Sequence, residues 1–357
     1  MMEEQFYTLK IVGIEKPIKK ATTLCLEIPE ELKNEFDFLP GQHLNFRFII
    51  DGKEERRQYS LHNSPYEKGE YQVTVKIHHQ GVVSNYIAGQ LEVGDTVEVM
   101  KPMGDFVVRP SKDADKNYYL FAAGSGITPI FSMVKSILQA EPLSRVYLLY
   151  GNRNEADILF YDELSQWQVT YPDHLKITHT LSTRFLDLST SPWKGKRGRI
   201  DEDLVEEFLT EDPFVVEKSE FYICGPNEMN QNVRNLLHEM GIPDKLIHFE
   251  YFSAGSVEYD ESLTSEENAE VCATIRNQDY LVRLKQEETI LQGLKRTGAP
   301  VPFSCQNGIC GTCKARLLEG EVKMRSSMAL RAEEIEDKAI LTCQSLAQTP
   351  HVKIEFE

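Results

Sequence analysis

The sequence predicts a multidomain protein, in which an antiparallel β-barrel is followed by an α/β domain with a parallel sheet and then by a C-terminal α+β domain. Three observations predict this order. Short strands separated by turns fill the first part of the chain, strands then alternate with helices, and four of the seven cysteines lie near the C-terminus. The length of 357 residues suggests two or three domains.

Composition and charge limit the possible classes of function. The chain is 41% hydrophobic and 27% charged, which is ordinary for a soluble globular protein. The N-terminus has no apolar signal segment and no run approaches the length of a membrane span, so we expect a cytoplasmic protein without membrane insertion. The net charge of −17 argues against nucleic acid and anionic membranes as partners. The three other cysteines, Cys25, Cys224 and Cys272, are predicted to be reduced thiols.

The first predicted domain spans residues 1–112 and has the pattern of a barrel. Its strands alternate or run apolar, and turn pairs such as Pro40-Gly41 separate them. Regularly spaced short strands of this kind indicate a barrel. The predicted strands are Leu24–Ile28, Leu44–Ile50, Tyr71–Ile77 and Thr96–Met100.

The second predicted domain spans residues 113–252 and alternates strands with helices, which indicates a parallel sheet covered on both faces. Segments that follow the strands should meet at one edge, where open α/β sheets bind ligands. The predicted strands are Asn117–Ala122, Arg145–Tyr150, Lys176–Leu181 and Glu220–Cys224. The predicted helices are Ile127–Ala140, Asp157–Gln166, Asp201–Thr210 and Asn227–Met240.

Residues 253–268 are predicted to form an acidic linker. The segment S-A-G-S-V-E-Y-D-E-S-L-T-S-E-E-N is polar and rich in serine, and it has little apolar surface to bury. The alternative is a long surface loop of one domain. We favour a linker because a complete cysteine-bearing domain follows at residues 269–357.

The four C-terminal cysteines have the spacing of an iron–sulfur site. Cys305, Cys310 and Cys313 form C-x4-C-x2-C and Cys343 follows, which is the plant-type pattern for a [2Fe-2S] cluster. Gly308 lies inside the loop, where the lack of a Cβ lets backbone N–H groups approach the sulfurs. Zinc is the alternative, but structural zinc sites usually match one close pair of ligands with a second close pair. The four cysteines are therefore the predicted ligands of the cluster.

Two motifs of the first domain resemble the flavin barrel of the ferredoxin–NADP reductase superfamily. Arg57–Ser60 reads R-x-Y-S, and Gly81–Ser84 reads G-x-x-S. The resemblance implies that Arg57 binds the flavin phosphate, Tyr59 contacts the ribityl chain and ring, and Ser60 lies near the redox-active edge of the ring. A guanidinium suits phosphate, and a helix start at Gly81–Ser84 suits a pyrophosphate. FAD is favoured over FMN, although the motifs fit both. The implied flavin residues are Arg57, Gln58, Tyr59, Ser60, Leu61, Val75, Ile77, Gly81, Val82, Val83 and Ser84.

Three turns of the second domain resemble the nicotinamide segments of the same superfamily. Ala122–Pro129 contains G-x-G-x-T-P, Tyr150–Arg153 reads Y-G-N-R, and Cys224–Met229 contains C-G-P-x-x-M. A glycine-rich turn between strand and helix brings backbone amides close to a pyrophosphate. Because arginine attracts a 2′-phosphate, we expect NADPH as the donor, with NADH as the alternative. The predicted nicotinamide residues are Gly124, Gly126, Thr128, Pro129, Arg153, Ser182, Arg184, Cys224, Gly225, Pro226 and Met229.

The end of the second domain, Glu250-Tyr251-Phe252, resembles the terminal acid and aromatic of the superfamily. The resemblance implies that Ser60, Cys224 and Glu250 surround the hydride-transfer site and that Phe252 lies against the flavin. Hydride transfer needs no nucleophile, so we expect no Ser/His/Asp triad.

The order of the domains resembles the three-domain oxygenase reductases of this superfamily, which carry a β-grasp ferredoxin at the C-terminus. The resemblance covers nearly the whole chain. It implies an oxidoreductase that passes electrons from NAD(P)H through FAD and a [2Fe-2S] cluster to an acceptor protein such as an oxygenase component. The alternatives are an electron-transfer subunit of a larger complex, with little reductase activity of its own, and a zinc-stabilised binding module.

A basic segment follows the third cysteine of the loop. Lys314, Arg316, Lys323 and Arg325 lie close together in the sequence, in a domain whose net charge is zero while the first two domains are acidic. This pattern predicts an electropositive rim that steers an acidic acceptor. The alternative is a solvated strand face balanced by neighbouring glutamates.

Overall fold

The structure, a computed structural model, describes residues 5–183, 193–252 and 264–356. They fall into two compact units, one of Phe6–Glu250 and one of Tyr251–Glu357 together with Gln5. Within the described ranges, no helix is both long enough and apolar enough to cross a membrane.

The first unit begins with a curled antiparallel sheet of six strands in the order β4-β3-β6-β1-β2-β5. An isolated bridge between Leu61 and Val73 joins the end of β4 to β5, so the sheet closes on itself. This arrangement confirms the predicted antiparallel barrel. The elements are β1 Tyr7–Glu15, β2 Ala21–Glu27, β3 His43–Ile50, β4 Lys53–Ser60, β5 Tyr71–Lys76, α1 Val82–Gln90 and β6 Thr96–Val99.

Two of the barrel strands were not among the predicted ones. In β1 the side chains of Tyr7, Leu9 and Ile11 alternate inward with exposed neighbours. The sequence of β4, K-E-E-R-R-Q-Y-S, carries no apolar alternation, and it forms a strand because it pairs with all eight residues of β3. The sequence pattern was therefore weakest at the strand that carries R-x-Y-S.

The second part of this unit is a sheet in the order β10-β9-β8-β7-β11-β12, and the pairs from β10 to β11 are parallel. The chain leaves β7 in one direction through β8 and β9, and β11 then lies on the other side of β7. The carboxyl ends of β7 and β11 thus form the switch point at which such sheets bind ligands. The elements are β7 Asn117–Ala123, α2 Ile127–Ala140, β8 Arg145–Asn152, α3 Tyr161–Thr170, β9 Leu175–Leu181, β10 Lys196–Arg197, α4 Glu202–Glu211, β11 Ser219–Gly225, α5 Asn227–Glu239 and β12 Ile247–Tyr251.

The helices of this sheet agree with the predicted bounds to within one residue except for α3. Helix α2 has the predicted bounds, whereas α3 begins and ends four residues later than the predicted Asp157–Gln166. A 3-10 turn at Glu155–Asp157 and the buried residues Ile158, Leu159 and Phe160 come first. Burial of these three apolar residues, rather than helix propensity, decides where helix α3 begins.

The C-terminal unit is an α+β domain with a mixed sheet in the order β14-β13-β19-β15-β17 and a small second sheet of β16 and β18. Strands β13 and β19 are parallel, and the remaining pairs are antiparallel. Helix α6 buries Ile290, Leu291 and Leu294 in the core of this domain, which gives the predicted β-grasp arrangement. The elements are β13 Glu270–Ile275, β14 Gln278–Arg283, α6 Ile290–Arg296, β15 Lys314–Glu319, β16 Val322–Met324, α7 Ala332–Glu336, β17 Ala339–Leu341, β18 Ser345–Ala347 and β19 His351–Glu355.

The last residues of the predicted linker bond to the C-terminal domain. The backbone N–H of Ser265 donates to Gln286 O at 2.6 Å, and that of Glu266 donates to Ala347 O at 2.7 Å. The rest of the predicted linker, residues 253–263, lies outside the described residues.

Candidate functional site

Strand β4 presents the R-x-Y-S residues at the end of the barrel. The side chain of Arg57 is 44% exposed, and its Nη2 lies 3.0 Å from Glu55 Oε2. The Tyr59 ring packs edge-on against Phe46 with 5.5 Å between centroids, and Ser60 is buried. An exposed guanidinium at this position can bind a phosphate in place of the Glu55 carboxylate.

Helix α1 starts at the predicted anion site. Its N-cap is Gly81, and no side chain caps its first turn, so its leading N–H groups remain for an anion. Ser84 is turned inward, where its Oγ accepts from the His78 N–H at 3.2 Å. A Cβ on Gly81 would lie 2.4 Å from that Oγ, so any other residue here would displace the Ser84 side chain. This uncapped N-terminus fits the pyrophosphate of a dinucleotide flavin.

The predicted flavin residues divide into two groups by the direction of their side chains. Leu61, Val75 and Val83 are buried in the barrel core, so only their backbone can meet a ligand. Gln58 and Ile77 are half-buried, and Val82 is 53% exposed at the start of α1.

The turns after β7 and β11 touch at the switch point. A Cβ on Gly126 would lie 2.1 Å from the carbonyl oxygen of Cys224, so this approach is possible only for glycine. The Tyr150 hydroxyl donates to Gly124 O at 3.2 Å, which ties the end of β8 to the same turn. Thr128 Oγ1 donates to Ser125 O at 3.0 Å and closes the first turn of α2. The backbone of three strand ends thus converges where a nicotinamide dinucleotide is expected.

The remaining predicted nicotinamide residues lie around this edge. Arg153 is exposed just beyond β8, and the Ser182 N–H donates to Asn152 O at 2.9 Å, so the ends of β8 and β9 are side by side. Pro226 is the N-cap of α5, and Met229 packs on Gly225. Pro129 is buried in α2. Arg184 lies outside the described residues.

The three predicted catalytic residues lie on separate strands. Ser60 pairs with His43 across β4 and β3, and Glu250 Oε1 lies 3.7 Å from His43 Nδ1. Burial raises the pKa of the Cys224 thiol well above its ordinary value, and the charge of Glu250 adds to this effect. Cys224 is therefore a protonated thiol rather than a nucleophile. Phe252 is half-buried directly after β12 and belongs to the second compact unit.

Sequence reasoning missed His43 and Lys76 at this site. Lys76 lies between the predicted Val75 and Ile77, and its Nζ would be 3.6 Å from a Cβ on Gly124. Burial lowers the pKa of Lys76. A half-buried ammonium beside a glycine-rich turn suits a phosphate. The alternation of β5 could have indicated Lys76, whereas no local signal distinguishes His43.

The four C-terminal cysteines form two pairs. The Cys305 and Cys310 thiols hydrogen-bond to each other, and so do those of Cys313 and Cys343. The bond from Cys310 lowers the pKa of Cys305 to about 6, and the bond from Cys313 lowers the pKa of Cys343. Among the described residues, no three His, Cys, Asp or Glu side chains converge as the ligands of a single ion would. The four thiols therefore lie near one another, as the ligands of a [2Fe-2S] cluster would.

The loop between the cysteines is shaped for backbone donors. Gly308 and Gly311 have φ of +75° and +67°, a region that strongly favours glycine. The Asn307 N–H donates to the Cys305 sulfur at 3.4 Å, as expected around a thiolate cluster. The donor set of this loop therefore fits a [2Fe-2S] cluster.

Family comparisons agree with this geometry. The oxidoreductase FAD-binding domain matches residues 9–108, the oxidoreductase NAD-binding domain residues 120–235, and the 2Fe-2S iron–sulfur cluster binding domain residues 273–348. The chain is 32% identical to a subunit of the 1,2-phenylacetyl-CoA epoxidase of Escherichia coli strain K12, over 99% of this chain and 98% of that protein. The chain belongs to the ferredoxin–NADP-reductase-type family.

Other full-length relatives are reductases of the same type. The ferredoxin reductase component of 3-ketosteroid-9-alpha-monooxygenase from Rhodococcus rhodochrous is 31% identical over 98% of this chain and 96% of that protein. The glycine betaine monooxygenase reductase subunit of Chromohalobacter salexigens is 32% identical over 90% of this chain and 88% of that protein. The structure of phthalate dioxygenase reductase superposes with a TM-score of 0.62, at 27% identity and 98% coverage of both chains.

This reductase-type chain is an oxidoreductase that transfers electrons from NAD(P)H through FAD to a [2Fe-2S] cluster. FAD supplies two-electron chemistry toward the nicotinamide and one-electron chemistry toward the cluster. The glycine turns at Gly81 and Gly124–Gly126 would admit the phosphates of the two dinucleotides, and the four cysteines of the C-terminal unit would hold the cluster.

Proposed function

We propose that this protein is the reductase component of an oxygenase system of the phenylacetyl-CoA epoxidase type. The observation that carries the proposal is the full-length similarity to a component of that epoxidase, across all three domains. The acceptor of its electrons is an oxygenase component, which docks at the face around the cysteine loop. Within the reductase, Ser60, Cys224 and Glu250 surround the site of hydride transfer, and Phe252 lies against the flavin.

The test is transfer to purified oxygenases. The reductase is mixed with the oxygenase component of a phenylacetyl-CoA epoxidase, and oxygenated product is measured with NAD(P)H. A reductase whose Cys310→Ser change removes the cluster serves as the control. Product that depends on the intact cluster supports the proposal. Fast reduction of a small acceptor such as ferricyanide, without transfer to this oxygenase, contradicts the assignment of the acceptor.

We further propose that NADPH is the donor. Support comes from Arg153, which is exposed beyond the carboxyl end of β8 and next to the segment that begins at Ser182. An arginine in this place suits a 2′-phosphate.

Arg153→Gln should lower kcat/KM for NADPH roughly tenfold or more, since a charged hydrogen bond contributes about 1.5–3 kcal/mol, and should leave kcat/KM for NADH unchanged. Arg145→Gln, an exposed arginine at the opposite end of β8, is the matched control. Equal kcat/KM for both donors in the unmodified protein contradicts this proposal.

A further inference from the structure

Helix α2 buries a polar face as well as an apolar one. Of its 14 residues, the 12 from Ile127 to Leu138 are buried. A helix that covers an open sheet normally turns its polar side chains to water. Here Ser132, Lys135 and Ser136, spaced so that they share one face, are exposed by no more than 4%. Their polar groups need partners within the protein.

Both serines have a partner in the barrel, and Ser136 Oγ also donates to Ser132 O within the helix at 2.7 Å. Ser132 Oγ donates to the carbonyl oxygen of Asn63 at 2.7 Å, and Ser136 Oγ lies 3.0 Å from Ser64 Oγ. Residues 62–67 directly follow the strand that ends at Ser60 and the bridge residue Leu61. Backbone and side-chain hydrogen bonds therefore connect helix α2 to the continuation of the flavin-binding strand.

Lys135 adds an ion pair to the same interface, in which the lysine is buried and the Glu67 side chain is 31% exposed. Its Nζ lies 3.0 Å from Glu67 Oε2 and 4.6 Å from the centre of the Phe131 ring. The same Glu67 oxygen accepts the Ser64 N–H at 2.8 Å. Burying an ammonium is unfavourable unless it is paired in good geometry, so this pair disfavours other arrangements of the helix and the segment.

Both sides of this interface lie close in sequence to the proposed active site. Residues 62–67 are close to the flavin strand, and helix α2 is close to the nicotinamide turn. Residues 62–67 begin two positions after Ser60, and α2 begins at Ile127, immediately after the Gly126 turn that touches Cys224. A shift of α2 against the segment would therefore shift the nicotinamide turn against the flavin strand. Hydride transfer is sensitive to such shifts, because misplacement by about 1 Å can lower a rate roughly 100-fold.

We propose that Ser132, Lys135 and Glu67 are positioning residues that set the distance between the nicotinamide and flavin sites. The inference rests on the two sites proposed above. The three residues lie at the interface of the two domains and do not line the turns that would hold either cofactor, so their removal should leave cofactor binding intact and change the geometry between the cofactors.

The experiment compares Ser132→Ala and Lys135→Met with matched controls in the full-length holoenzyme. Ser165→Ala removes a serine hydrogen bond within α3, and Lys116→Met removes a lysine ion pair with Glu220 inside the nicotinamide domain. Four quantities are measured: flavin content, the nucleotide dissociation constant, the limiting rate of flavin reduction, and the charge-transfer absorbance when oxidised nucleotide binds the reduced enzyme. Hydrogen exchange of residues 62–67 is followed in the same holoenzyme.

The two interface variants should keep their flavin content and nucleotide dissociation constant while the limiting rate falls roughly 10- to 100-fold. Their charge-transfer absorbance should weaken, and exchange in residues 62–67 should become faster. Both controls should match the unmodified protein. Limiting rates equal to those of the controls overturn the inference, and so does a loss of flavin or nucleotide binding in parallel with the rate. If Lys135→Met does not fold, Ser132→Ala decides the question alone, because it removes one hydroxyl. Absence of flavin from the unmodified protein would instead reject the proposed sites.

Discussion

His43 and Glu250 approach each other across the boundary between the barrel and the nicotinamide domain, with 3.7 Å between His43 Nδ1 and Glu250 Oε1. Within the described ranges, His43 Nε2 and Glu250 Oε2 are buried without a hydrogen-bond partner. Buried polar atoms without partners are unfavourable, so the pair indicates a place where a ligand completes the hydrogen bonding. The neighbours of the pair, Ser60 and Cys224, lie on two further strands.

Glu250→Gln should slow flavin reduction by NAD(P)H roughly 10- to 100-fold, because it removes the carboxylate that faces His43 at the proposed transfer site. The change preserves side-chain size, and the bond from Asn230 Nδ2 to the backbone oxygen of residue 250 remains. Anaerobic stopped-flow absorbance measures the rate. Flavin content and thermal unfolding, which should not change, are the controls. A rate equal to that of the unmodified protein would show that the carboxylate has no part in the reaction.

Cys310→Ser should remove the EPR signal of the reduced cluster and preserve NAD(P)H-driven reduction of ferricyanide. The reason is that Cys310 belongs to the C-terminal unit, whereas the flavin and nicotinamide motifs lie in Phe6–Glu250. Cys272→Ser, which replaces a half-exposed thiol of β13 outside the four ligands, should change neither readout. Loss of both the EPR signal and ferricyanide reduction in the Cys310 variant would contradict the separation of the two redox centres.

Stability should decrease below neutral pH because of His62. Its ring is buried 4.7 Å from the Phe160 ring, and burial lowers its pKa to about 3, against about 6.5 in an unfolded chain. Between these values the unfolded chain binds a proton that the folded protein does not, so the free energy of unfolding falls as pH falls. At pH 5 the loss from this group is about 2 kcal/mol.

Urea unfolding of the unmodified protein and of His62→Gln at several pH values between 5 and 7.5 tests this prediction. The difference in the free energy of unfolding between the two proteins should shrink as pH falls, because only the unmodified protein loses stability through protonation of His62. Other titrating groups are common to both proteins and cancel. A difference that stays constant across the range would exclude His62 as a source of the pH dependence.

Steering of an acidic acceptor by the basic rim should depend more on Arg316 than on Lys314. The structure places Lys314 Nζ 2.8 Å from Glu334 Oε1, so its charge is already balanced, while Arg316 and Lys323 are exposed and Arg325 is half-buried. Arg316→Glu should therefore slow reduction of an acidic acceptor protein several-fold at low salt, and the effect should fade between roughly 50 and 500 mM salt.

Arg276→Glu is the matched control for charge, because it lies in the turn between β13 and β14, at the other edge of the sheet from β15. This control should transfer electrons at the unmodified rate. If the second-order rate is insensitive to salt and to Arg316→Glu, steering by the rim is wrong and the segment is an ordinary solvated strand face.

The sequence alone determined the features that local spacing encodes. Cys305, Cys310 and Cys313 are separated by only four and two residues and so lie in one short segment, and the apolar period of Ile127–Ala140 predicted the bounds of α2. The R-x-Y-S and G-x-G-x-T-P motifs resemble known cofactor turns because phosphates need the same short arrangement of donors wherever they bind. The order of the three domains followed from strand and helix periods that each segment carries within itself.

Only the tertiary structure decided which distant residues meet. Strand β4 is charged over its first five residues and becomes a strand through pairing with β3, and α3 starts late because apolar residues before it are buried. The contacts of His43 with Glu250 and of Lys135 with Glu67 join residues far apart in sequence, on different domains. Such contacts depend on how the barrel packs against the parallel sheet, and no period or spacing in the sequence encodes that packing.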